Sequence, residues 1–378
     1  MERNNNEIRV ALVGGGTGGH FYPLIALAER MNETPESPRL YYMGPEIYDA
    51  EALASERIEY VRTWAGKHRR YFSLQNFIDP FKTFAGSVTA FFELFAIYPD
   101  VIVSKGGYTS VPVILAAAFL RIPIVIHESD AVMGKANRLA ARFARAIVIA
   151  YDSIVMPKTR AQVYKLGIPI RRTLLSEPSS EIKSHLSITS DRPIIFVVGG
   201  SQGAERVNEL ILDSLDELLN DFTVLHQTGK KNYDICKLSA DSLIPDTDRR
   251  QHYYPVPFLS VEELNSAYRG ASLIISRAGS TSIYEIALNG KPSIIIPIPE
   301  GISHDQRTNA YTYARSGAAT VMEEMNLTDG LLRAEIDRIM QNEDIYTGMV
   351  TAAKSFGRTD TAEHMTTLVL DIAKEHIY

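Results

Sequence analysis

The sequence predicts an α/β protein with two doubly wound parallel-sheet domains that face a cleft. Short β-rich runs alternate with longer amphipathic or alanine-rich segments along the chain, as in strand–helix–strand units. Each half opens with a strand that leads into a glycine-rich turn, at 14–19 in the first half and at 199–203 in the second. A length of 378 residues also suits two domains better than one or four.

The β-rich runs predict five strands in the first half and four in the second. These strands are Ile8–Val13, Leu40–Met43, Val101–Ser104, Ile124–His127 and Ala146–Ile149, then Ile194–Val198, Thr223–Gln227, Leu273–Ser276 and Ser293–Ile296. The domains are expected at 1–165 and 166–358, with a hinge near Lys165–Ser179, where glycine and proline cluster. Residues 359–378 predict a capped C-terminal helix whose docking site the sequence does not indicate.

Composition excludes several classes of protein. Hydrophobic residues make up 45% of the chain and charged residues 22%, which excludes a disordered, collagenous or coiled-coil chain. The single cysteine, Cys236, excludes a disulfide framework and a multi-cysteine metal site, and it fits a reducing cytosol. The polar start MERNNNEIRV is unlike a signal peptide, and the longest apolar runs, such as Val111–Leu120, are too short to span a bilayer. We therefore expect a soluble protein, or one that only touches a membrane.

The charge is distributed unevenly. Residues 1–165 have a net charge of +3, whereas the remainder has a net charge of -9. An acidic second half argues against nucleic acid as a partner, because nucleic-acid proteins normally present a basic domain or stripe. The basic first half is suited to an anionic surface.

The first glycine turn, Gly14–Gly19, precedes a helix predicted at Phe21–Met31, so its amides and the helix N-terminus can cradle a diphosphate. NAD or FAD is disfavoured because the second strand ends in Gly44-Pro45 rather than in an acidic residue for the ribose. His20 follows the turn where doubly wound folds bind ligands, and an imidazole there suits a general base. A simple helix cap is the alternative for His20.

Two further segments of the first half are predicted at the same sheet edge. Ser104–Thr109 repeats the strand, glycine turn and helix pattern, and His127-Glu128 ends the next strand with two polar groups. A glycine pair allows a ligand to approach the backbone closely. Ordinary loop chemistry is the alternative for both segments.

In the second half, the segment 277–285 has the side chains needed to bind a nucleotide. Arg277 can neutralise a phosphate, the hydroxyls and amides at 280–282 can bind its oxygens, and Glu285 can accept two hydrogen bonds from a ribose. A solvated helix face is the alternative for Glu285. The cluster 304–309 suits a sugar pocket or a helix cap. No Asp-x-Asp pair ends a strand, so a metal-held nucleotide is not expected. We also expect no other cofactor.

Together these motifs resemble the MurG family of glycosyltransferases, over nearly the full chain. The matching motifs, in chain order, are GGTGGH at 15–20, GGY at 106–108, HE at 127–128 with Asn137, GGSQGA at 199–204 with Asn208, and R-x-G-x-x-x-x-x-E at 277–285. The resemblance implies two Rossmann-like domains of the GT-B type. It also implies a UDP-sugar held mainly by the C-terminal domain and a lipid acceptor held by the N-terminal one.

The resemblance assigns roles to individual residues. It implies His20 and Glu128 as catalytic residues, and Tyr108 and Asn137 as acceptor-binding residues. The implied donor-binding residues are Thr17, Gly18, Gly19, Asp130, Arg171, Ser201, Phe258, Leu259, Arg277, Ser280, Thr281, Ser282, Ile283, Tyr284, Glu285 and Gln306. Within this set, the backbone of Leu259 and the side chain of Arg171 are expected beside the uracil.

The sequence departs from the family's motifs at several positions. The family segment G-N-P-V-R is here Gly167–Arg171 with the sequence GIPIR, and H-E-Q-N is here His127–Asp130 with the sequence HESD. At Asp130 a carboxylate, which only accepts hydrogen bonds, replaces an amide that also donates them. Asp305 stands where some members have a second glutamine. These changes bear on the choice of donor sugar more than on the reaction class.

The resemblance implies an inverting transfer of N-acetylglucosamine from UDP-GlcNAc to the C4 hydroxyl of a lipid-linked muramyl-pentapeptide in peptidoglycan synthesis. His20, tuned by Glu128, would remove the hydroxyl proton. One alternative is a related glycosyltransferase that acts on diacylglycerol or on another polyprenyl-linked sugar. Another is a nucleotide-sugar-binding module without catalysis. The expected location is the cytoplasmic face of the plasma membrane.

A membrane contact is predicted at Lys67–Ile78, on an anionic inner-membrane surface, because cationic side chains there adjoin aromatic and apolar ones. An ordinary loop with Phe72 and Ile78 packed inward is the alternative. Asp79-Pro80 predicts the start of the next helix. The helical stripe Phe81, Phe84, Val88, Phe91 and Phe95 is predicted to be core.

Overall fold

The structure, a computed structural model, describes residues 7–65, 75–199, 204–299 and 304–377. The chain divides into two compact units. The first unit comprises Met1–Arg171 and Thr359–Tyr378, and the second comprises Arg172–Arg358. The division thus falls six residues beyond the end of the domain expected at 1–165, and the C-terminal helix belongs to the first unit.

The first unit is built on a parallel sheet of seven strands. These are β1 (Arg9–Val13), β2 (Arg39–Gly44), β3 (Glu59–Arg62), β4 (Val101–Ser104), β5 (Ile124–Glu128), β6 (Ala146–Ile149) and β7 (Gln162–Lys165). Their order in the sheet is β3-β2-β1-β4-β5-β6-β7. The order reverses between β1 and β4, which is where doubly wound sheets bind ligands.

The second unit has a parallel sheet of six strands with the same winding. These are β8 (Ile194–Val198), β9 (Thr223–Gln227), β10 (Tyr253–Val256), β11 (Leu273–Ser276), β12 (Ser293–Ile295) and β13 (Ala319–Val321), in the order β10-β9-β8-β11-β12-β13. The central strand β8 pairs with β9 on one side and with β11 on the other. The predicted fold class, two doubly wound α/β domains, is confirmed.

Sixteen α-helices in the described ranges connect or flank these strands. They are α1 (Gly18–Asn32), α2 (Ala50–Ser55), α3 (Gln75–Ile97), α4 (Val111–Leu120), α5 (Lys135–Ala140), α6 (Arg172–Leu175), α7 (Ile182–His185), α8 (Glu205–Asp221), α9 (Tyr233–Leu243), α10 (Thr247–Arg250), α11 (Val261–Gly270), α12 (Ser280–Leu288), α13 (His304–Ala314), α14 (Asp329–Met340), α15 (Glu343–Phe356) and α16 (Thr361–Ile377). None of the helices in these ranges has the length and apolar character of a membrane span.

The central strands are buried on both faces because helices cover each sheet. Every residue of β4 and of β8 is buried, as expected for parallel strands between two helical layers. Helix α8 shows how a helix covers the sheet: Val207, Leu210, Ile211 and Leu218 recur at helical spacing and are all buried.

The C-terminal helix α16 packs on the first unit, which supplies the docking site that the sequence leaves open. Met365, Val369 and Ala373 join the core of that unit. The hydroxyl of Thr361 donates to the carbonyl of Leu166 at 2.5 Å, so the helix is also held at its start.

Two expectations about α3 are wrong. The helix begins at Gln75, so Asp79-Pro80 does not start it. The aromatic stripe is exposed rather than core: Phe81 and Phe84 are 75% and 72% exposed, and Phe95 is 64% exposed. The inward face consists of buried Gly86, Ala90 and Leu94. These residues are smaller than phenylalanine, so neighbouring parts of the chain can approach the helix more closely on this face.

Candidate active site

Three neighbouring strand ends of the first unit bring the predicted residues to one sheet edge. Strand β4 pairs in parallel with β1 and with β5, so the segments that follow them lie side by side. These segments are the glycine turn with His20, the turn Lys105–Tyr108, and the loop that begins at Glu128. The arrangement predicted for them is present.

The first glycine turn is closely packed against Tyr42 of strand β2. Gly16 has a φ of +90°, a conformation that side chains disfavour. A Cβ at Gly15 would lie 2.9 Å from the hydroxyl oxygen of Tyr42, and that hydroxyl donates to the carbonyl of Gly14. The turn then enters α1 through Thr17, which is extended at its cap position. Tyr42 therefore supports the turn from strand β2.

His20 lies in the first turn of α1 and is half-buried. Its Nδ1 lies 2.9 Å from Oγ1 of Thr17. Burial and the nearby ammonium of Lys105 lower the pKa of His20 to about 4, against an opposing effect of Asp130. The imidazole is therefore neutral at pH 7. When Nδ1–H donates to Thr17, the Nε2 lone pair is available to accept a proton.

Glu128 anchors the loop that follows β5. Its carboxylate accepts hydrogen bonds from the backbone N–H groups of Asp130 at 3.1 Å and Gly134 at 2.9 Å, and from Nδ2 of Asn137 at 3.0 Å. Burial and Asp130 raise the pKa of Glu128. The carboxylate that raises the pKa of His20 is that of Asp130, not that of Glu128. The structure thus shows Glu128 as a loop anchor, whereas its catalytic role stays a prediction.

Asn137 and Tyr108 lie beside the two glycine turns. A Cβ at Gly106, whose φ is +85°, would lie 2.7 Å from Oδ1 of Asn137, so Asn137 packs directly under the second turn. A Cβ at Gly16 would lie 3.6 Å from the ring of Tyr108. Asn137 is 3% exposed, so the acceptor contact expected of it stays a prediction.

Arg171, the last residue of the first unit's long segment, stacks on α1. Its guanidinium lies 4.1 Å from the ring centroid of Tyr22, a cation–π contact. The hydroxyl of Tyr22 in turn donates to Asp49 at 3.2 Å. The uracil contact expected of Arg171 stays a prediction.

In the second unit, Arg277 is paired within its own unit. It donates to Oε2 of Glu324 at 2.6 Å and to the carbonyls of Ile296 and Pro297, both at 3.3 Å. Its charge is thus partly compensated before any phosphate binds. Sequence reasoning missed Glu324, which lies 47 residues further along the chain and has no local motif.

Glu285 is buried on α12, so the solvated helix face proposed as its alternative is wrong. The residue is 8% exposed, and the hydroxyl of Tyr268 donates to its Oε2 at 3.0 Å. Tyr268 itself is 1% exposed and packs edge-on against Phe196. A carboxylate held in this way is positioned to accept hydrogen bonds from two hydroxyls of a ligand. The sequence did not identify Tyr268.

The rest of the segment 280–285 separates into two groups. Ser280, Thr281 and Ser282 form the first turn of α12. The backbone N–H groups of this turn have no partner within the helix and point out of its N-terminal end. Ile283 and Tyr284 are 0% and 3% exposed, so these two side chains belong to the core.

Three further residues expected to bind the donor are described: Phe258 and Leu259 lie in the loop between β10 and α11, and Gln306 lies in the first turn of α13. The N–H of Leu259 donates to Oε1 of Gln227 at 3.1 Å, so its carbonyl is the backbone group left for a base. Phe258 is 46% exposed, with the Lys230 ammonium 5.7 Å from its ring. Oε1 of Gln306 accepts from the N–H of Ile298 at 3.4 Å. Ser201 lies outside the described residues. Within the described ranges, no group of three or more histidine, cysteine or acidic residues is placed to hold a metal ion.

The chain is similar to known glycosyltransferases. The glycosyltransferase family 28 N-terminal domain matches residues 10–149, and the family's C-terminal domain matches residues 194–365. The UDP-N-acetylglucosamine–N-acetylmuramyl-(pentapeptide) pyrophosphoryl-undecaprenol N-acetylglucosamine transferase of Treponema denticola is 37% identical over 327 residues, 83% of each chain. The enzyme of the same name from Clostridium botulinum is 32% identical over 348 residues, 92% of this chain and 95% of its own.

Solved structures agree with this relation. The crystal structure of MurG from Acinetobacter baumannii has a TM-score of 0.74 and 25% identity, over 96% of this chain and 99% of that one. A putative UDP-N-acetylglucosamine 2-epimerase from Listeria monocytogenes has a TM-score of 0.71 at 13% identity, over 98% of this chain and 97% of that one, which shows a shared fold alone. The chain therefore belongs to the MurG family of glycosyltransferases, with the GT-B fold.

Proposed function

We propose that this protein transfers N-acetylglucosamine from UDP-GlcNAc, with inversion, to the C4 hydroxyl of a lipid-linked muramyl-pentapeptide. The relatives from Treponema denticola and Clostridium botulinum are named for this transfer. The second unit binds the donor and the first unit binds the acceptor. The observation that carries the proposal is the position of His20: it lies at the end of a glycine turn, with Nδ1 2.9 Å from Oγ1 of Thr17, at the sheet edge that Lys105–Tyr108 and Glu128 also reach.

In the proposed reaction, the acceptor oxygen attacks the anomeric carbon as the bond from that carbon to the diphosphate breaks. The hydroxyl proton passes to Nε2 of His20, whose lowered pKa leaves it unprotonated at neutral pH. The UDP anion leaves from the opposite face of the sugar. The imidazolium that forms lies near the Asp130 carboxylate, which favours its positive charge.

On the donor side, Glu285 accepts hydrogen bonds from the ribose, and the first-turn amides of α12 bind the diphosphate. A nine-residue helix that begins at Ser280 presents its positive dipole end there. Arg277 meets the developing negative charge while it remains paired with Glu324.

The direct test is transfer of radiolabel from UDP-GlcNAc to purified lipid-linked muramyl-pentapeptide by the purified protein. Diacylglycerol is the parallel acceptor, since a related glycosyltransferase would label it instead. UDP-GlcNAc that binds without transfer to either acceptor would favour a nucleotide-sugar-binding module. Label in the muramyl acceptor alone supports the proposed function.

The proposal includes peripheral association with an anionic membrane surface, at the cytoplasmic face of the plasma membrane, because the acceptor is lipid-linked. The exposed face of α3 supports it: Phe81, Phe84, Phe92 and Phe95 are each at least 64% exposed. Phe119 of α4 is 78% exposed, and its ring lies 5.7 Å from that of Phe91, which extends the aromatic surface onto a second helix. Exposed apolar patches of this kind mark interaction sites.

The basic segment Lys67–Ile78 is the proposed electrostatic part of the same contact. Residues 66–74 lie outside the described residues, and the side chains of 75–80 are not described. Charge reversal of Lys67, Arg69 and Arg70 should release the protein from anionic vesicles in a sedimentation assay. Binding that resists both this change and high salt would contradict the electrostatic contribution.

A further inference from the structure

Lys105 is a buried cation that the reaction described above does not use. It follows strand β4 directly and is 2% exposed. Within the described part of the chain, its Nζ has no hydrogen-bond partner. An ammonium removed from water without a hydrogen bond is costly, so the fold retains this charge at the sheet edge against a free-energy penalty.

The position of Lys105 connects it to the segment that carries His20. Its backbone N–H donates to the carbonyl of Val13 at 2.8 Å, at the point where β1 leads into the glycine turn. A Cβ at Gly14 would lie 2.8 Å from Cβ of Lys105 and 3.1 Å from the carbonyl oxygen of His20. A Cβ at Gly107 would lie 3.9 Å from Cδ2 of His20. The two turns are therefore packed against each other with Lys105 between β1 and β5.

The charges around His20 come from two neighbouring strand ends. Lys105, after β4, disfavours the imidazolium, and Asp130, after β5, favours it. Glu128 and Asp130 both favour the charged form of Lys105, although burial lowers the pKa of Lys105 to about 8. His127 is also kept neutral by burial and by Lys105. On its own helix, His20 contacts the uncharged hydroxyl of Thr17.

We propose that Lys105 is a positioning residue for the transfer: together with burial, its ammonium offsets the carboxylate of Asp130 and so helps to keep His20 unprotonated and able to accept the acceptor's proton. The proposal rests on the role of His20 proposed above. The proposal also explains why this chain has both Lys105 and Asp130. Asp130 brings a negative charge beside the base where the family motif has an uncharged asparagine, and Lys105 balances it.

The test uses the full-length protein and three variants, Lys105→Met, Asp130→Asn and the double variant. Methionine keeps an unbranched side chain that is one atom shorter, and it removes the charge. Histidine ring resonances are followed by NMR from pH 8 to the lowest pH at which the protein stays folded, and His20→Gln assigns the His20 signal. Direct observation of the ring is needed because burial and Asp130 also raise the pKa of Glu128, so the pH dependence of kcat/KM alone does not isolate His20. The pH dependence of kcat/KM is measured in parallel with UDP-GlcNAc and the lipid-linked acceptor.

We expect Lys105→Met to move the His20 midpoint upward by about one pH unit or more, since a neighbouring like charge is removed. Asp130→Asn should move it downward, and the double variant should return it toward the wild-type value. The acidic limb of kcat/KM should follow the same order. A merely structural role of Lys105 would lower thermal stability without these opposite and mutually cancelling shifts.

A His20 midpoint unchanged by Lys105→Met in a folded variant would overturn the proposal. A shifted His20 titration midpoint with an unshifted acidic limb of kcat/KM would also overturn it, because the protonation of His20 would then not control the reaction rate. If Lys105→Met does not fold, Asp130→Asn alone decides: an unchanged or higher midpoint refutes the balance of charges. Absence of transfer to the muramyl acceptor by the wild-type protein would instead count against the proposed function, and the NMR titration distinguishes the two failures.

Discussion

The hydroxyl of Tyr268 donates to the carboxylate of Glu285, which we expect to bind the ribose of the donor. We predict that Tyr268→Phe weakens UDP binding roughly fivefold, because losing one hydrogen bond to a buried group costs about 1 kcal/mol. The affinity is measured by calorimetry. Glu285→Ala should have a larger effect, about 1–3 kcal/mol, on UDP and UDP-GlcNAc alike. In addition, Tyr268→Phe should raise KM with little change in kcat.

Tyr346→Phe is the matched control for this prediction. Tyr346 also lies in the second unit, and its hydroxyl donates to the carbonyl of Ser272 at 3.0 Å. The control therefore loses a comparable hydrogen bond away from Glu285. Equal UDP affinities in the Tyr268→Phe variant and the control would show that Tyr268 does not act through Glu285.

For His20, we predict that His20→Ala lowers turnover by roughly 10²–10⁴ and leaves UDP affinity nearly unchanged, since a general base contributes about that much. Steady-state kinetics with the lipid-linked acceptor and calorimetry with UDP measure the two quantities. His364→Ala, which replaces a mostly exposed histidine on α16, is the control. Near-wild-type turnover in His20→Ala would remove the residue from this role.

The sequence predicted which site residues follow the strands, but not the residues that hydrogen-bond to their side chains. His20 and Glu285 could be located because each lies just after a strand and a glycine turn. Tyr268 lies 17 residues before Glu285 on another helix, and Glu324 lies 47 residues after Arg277. Such partners meet only through tertiary packing, so no local spacing reveals them. The contacts of Glu128 with the 129–134 loop and with Asn137 of α5 were missed for the same reason.

At the scale of single elements, the sequence predicted the central strands and missed the edges. All nine predicted strands are present, with ends shifted by at most one residue. The four missed strands, β3, β7, β10 and β13, are the edges of the two sheets. An edge strand is covered less completely, and β7, with the sequence QVYK, is largely exposed. Its residues therefore lack the continuous apolar run that identifies a central parallel strand.

Helix α3 shows where hydrophobic periodicity alone misleads. A stripe of large aromatic residues normally predicts the buried face. Here the buried face contains Gly86, and a Cβ at that position would lie 2.0 Å from the carbonyl oxygen of Trp64. Glycine thus permits a backbone contact that a phenylalanine would prevent, and the aromatic stripe lies on the exposed side.

We predict that the double substitution Phe84→Glu and Phe92→Glu lowers affinity for anionic vesicles by about tenfold or more. Burying one phenylalanine side chain is worth roughly 1.5–3 kcal/mol, and both side chains are exposed, so the fold should tolerate the change. Vesicle sedimentation measures the affinity. The matched control is Ile235→Glu with Leu238→Glu on α9, where both side chains are about equally exposed. An effect of the same size in the control would contradict a specific role for α3.

For the molecule as a whole, neutral histidines that are buried or half-buried link folding to pH. Burial lowers the pKa of His226 to about 3, lowers that of His20 to about 4 together with Lys105, and lowers that of His127 well below its ordinary value. The unfolded chain protonates each of these rings near pH 6.5. Below that pH the unfolded state binds more protons than the folded state, so acid favours unfolding.

We therefore predict that the free energy of unfolding of the second unit falls by about 2 kcal/mol between pH 7 and pH 5 because of His226 alone. His226→Gln should flatten this dependence, whereas His364→Gln, at a mostly exposed position of the first unit, should not. Urea unfolding is followed by circular dichroism for the whole chain and by fluorescence of Trp64, the only tryptophan, for the first unit. The Trp64 signal should keep its own pH dependence in His226→Gln, since His20 and His127 remain. A wild-type pH dependence of the second unit in His226→Gln would show that protonation of this ring is not linked to folding.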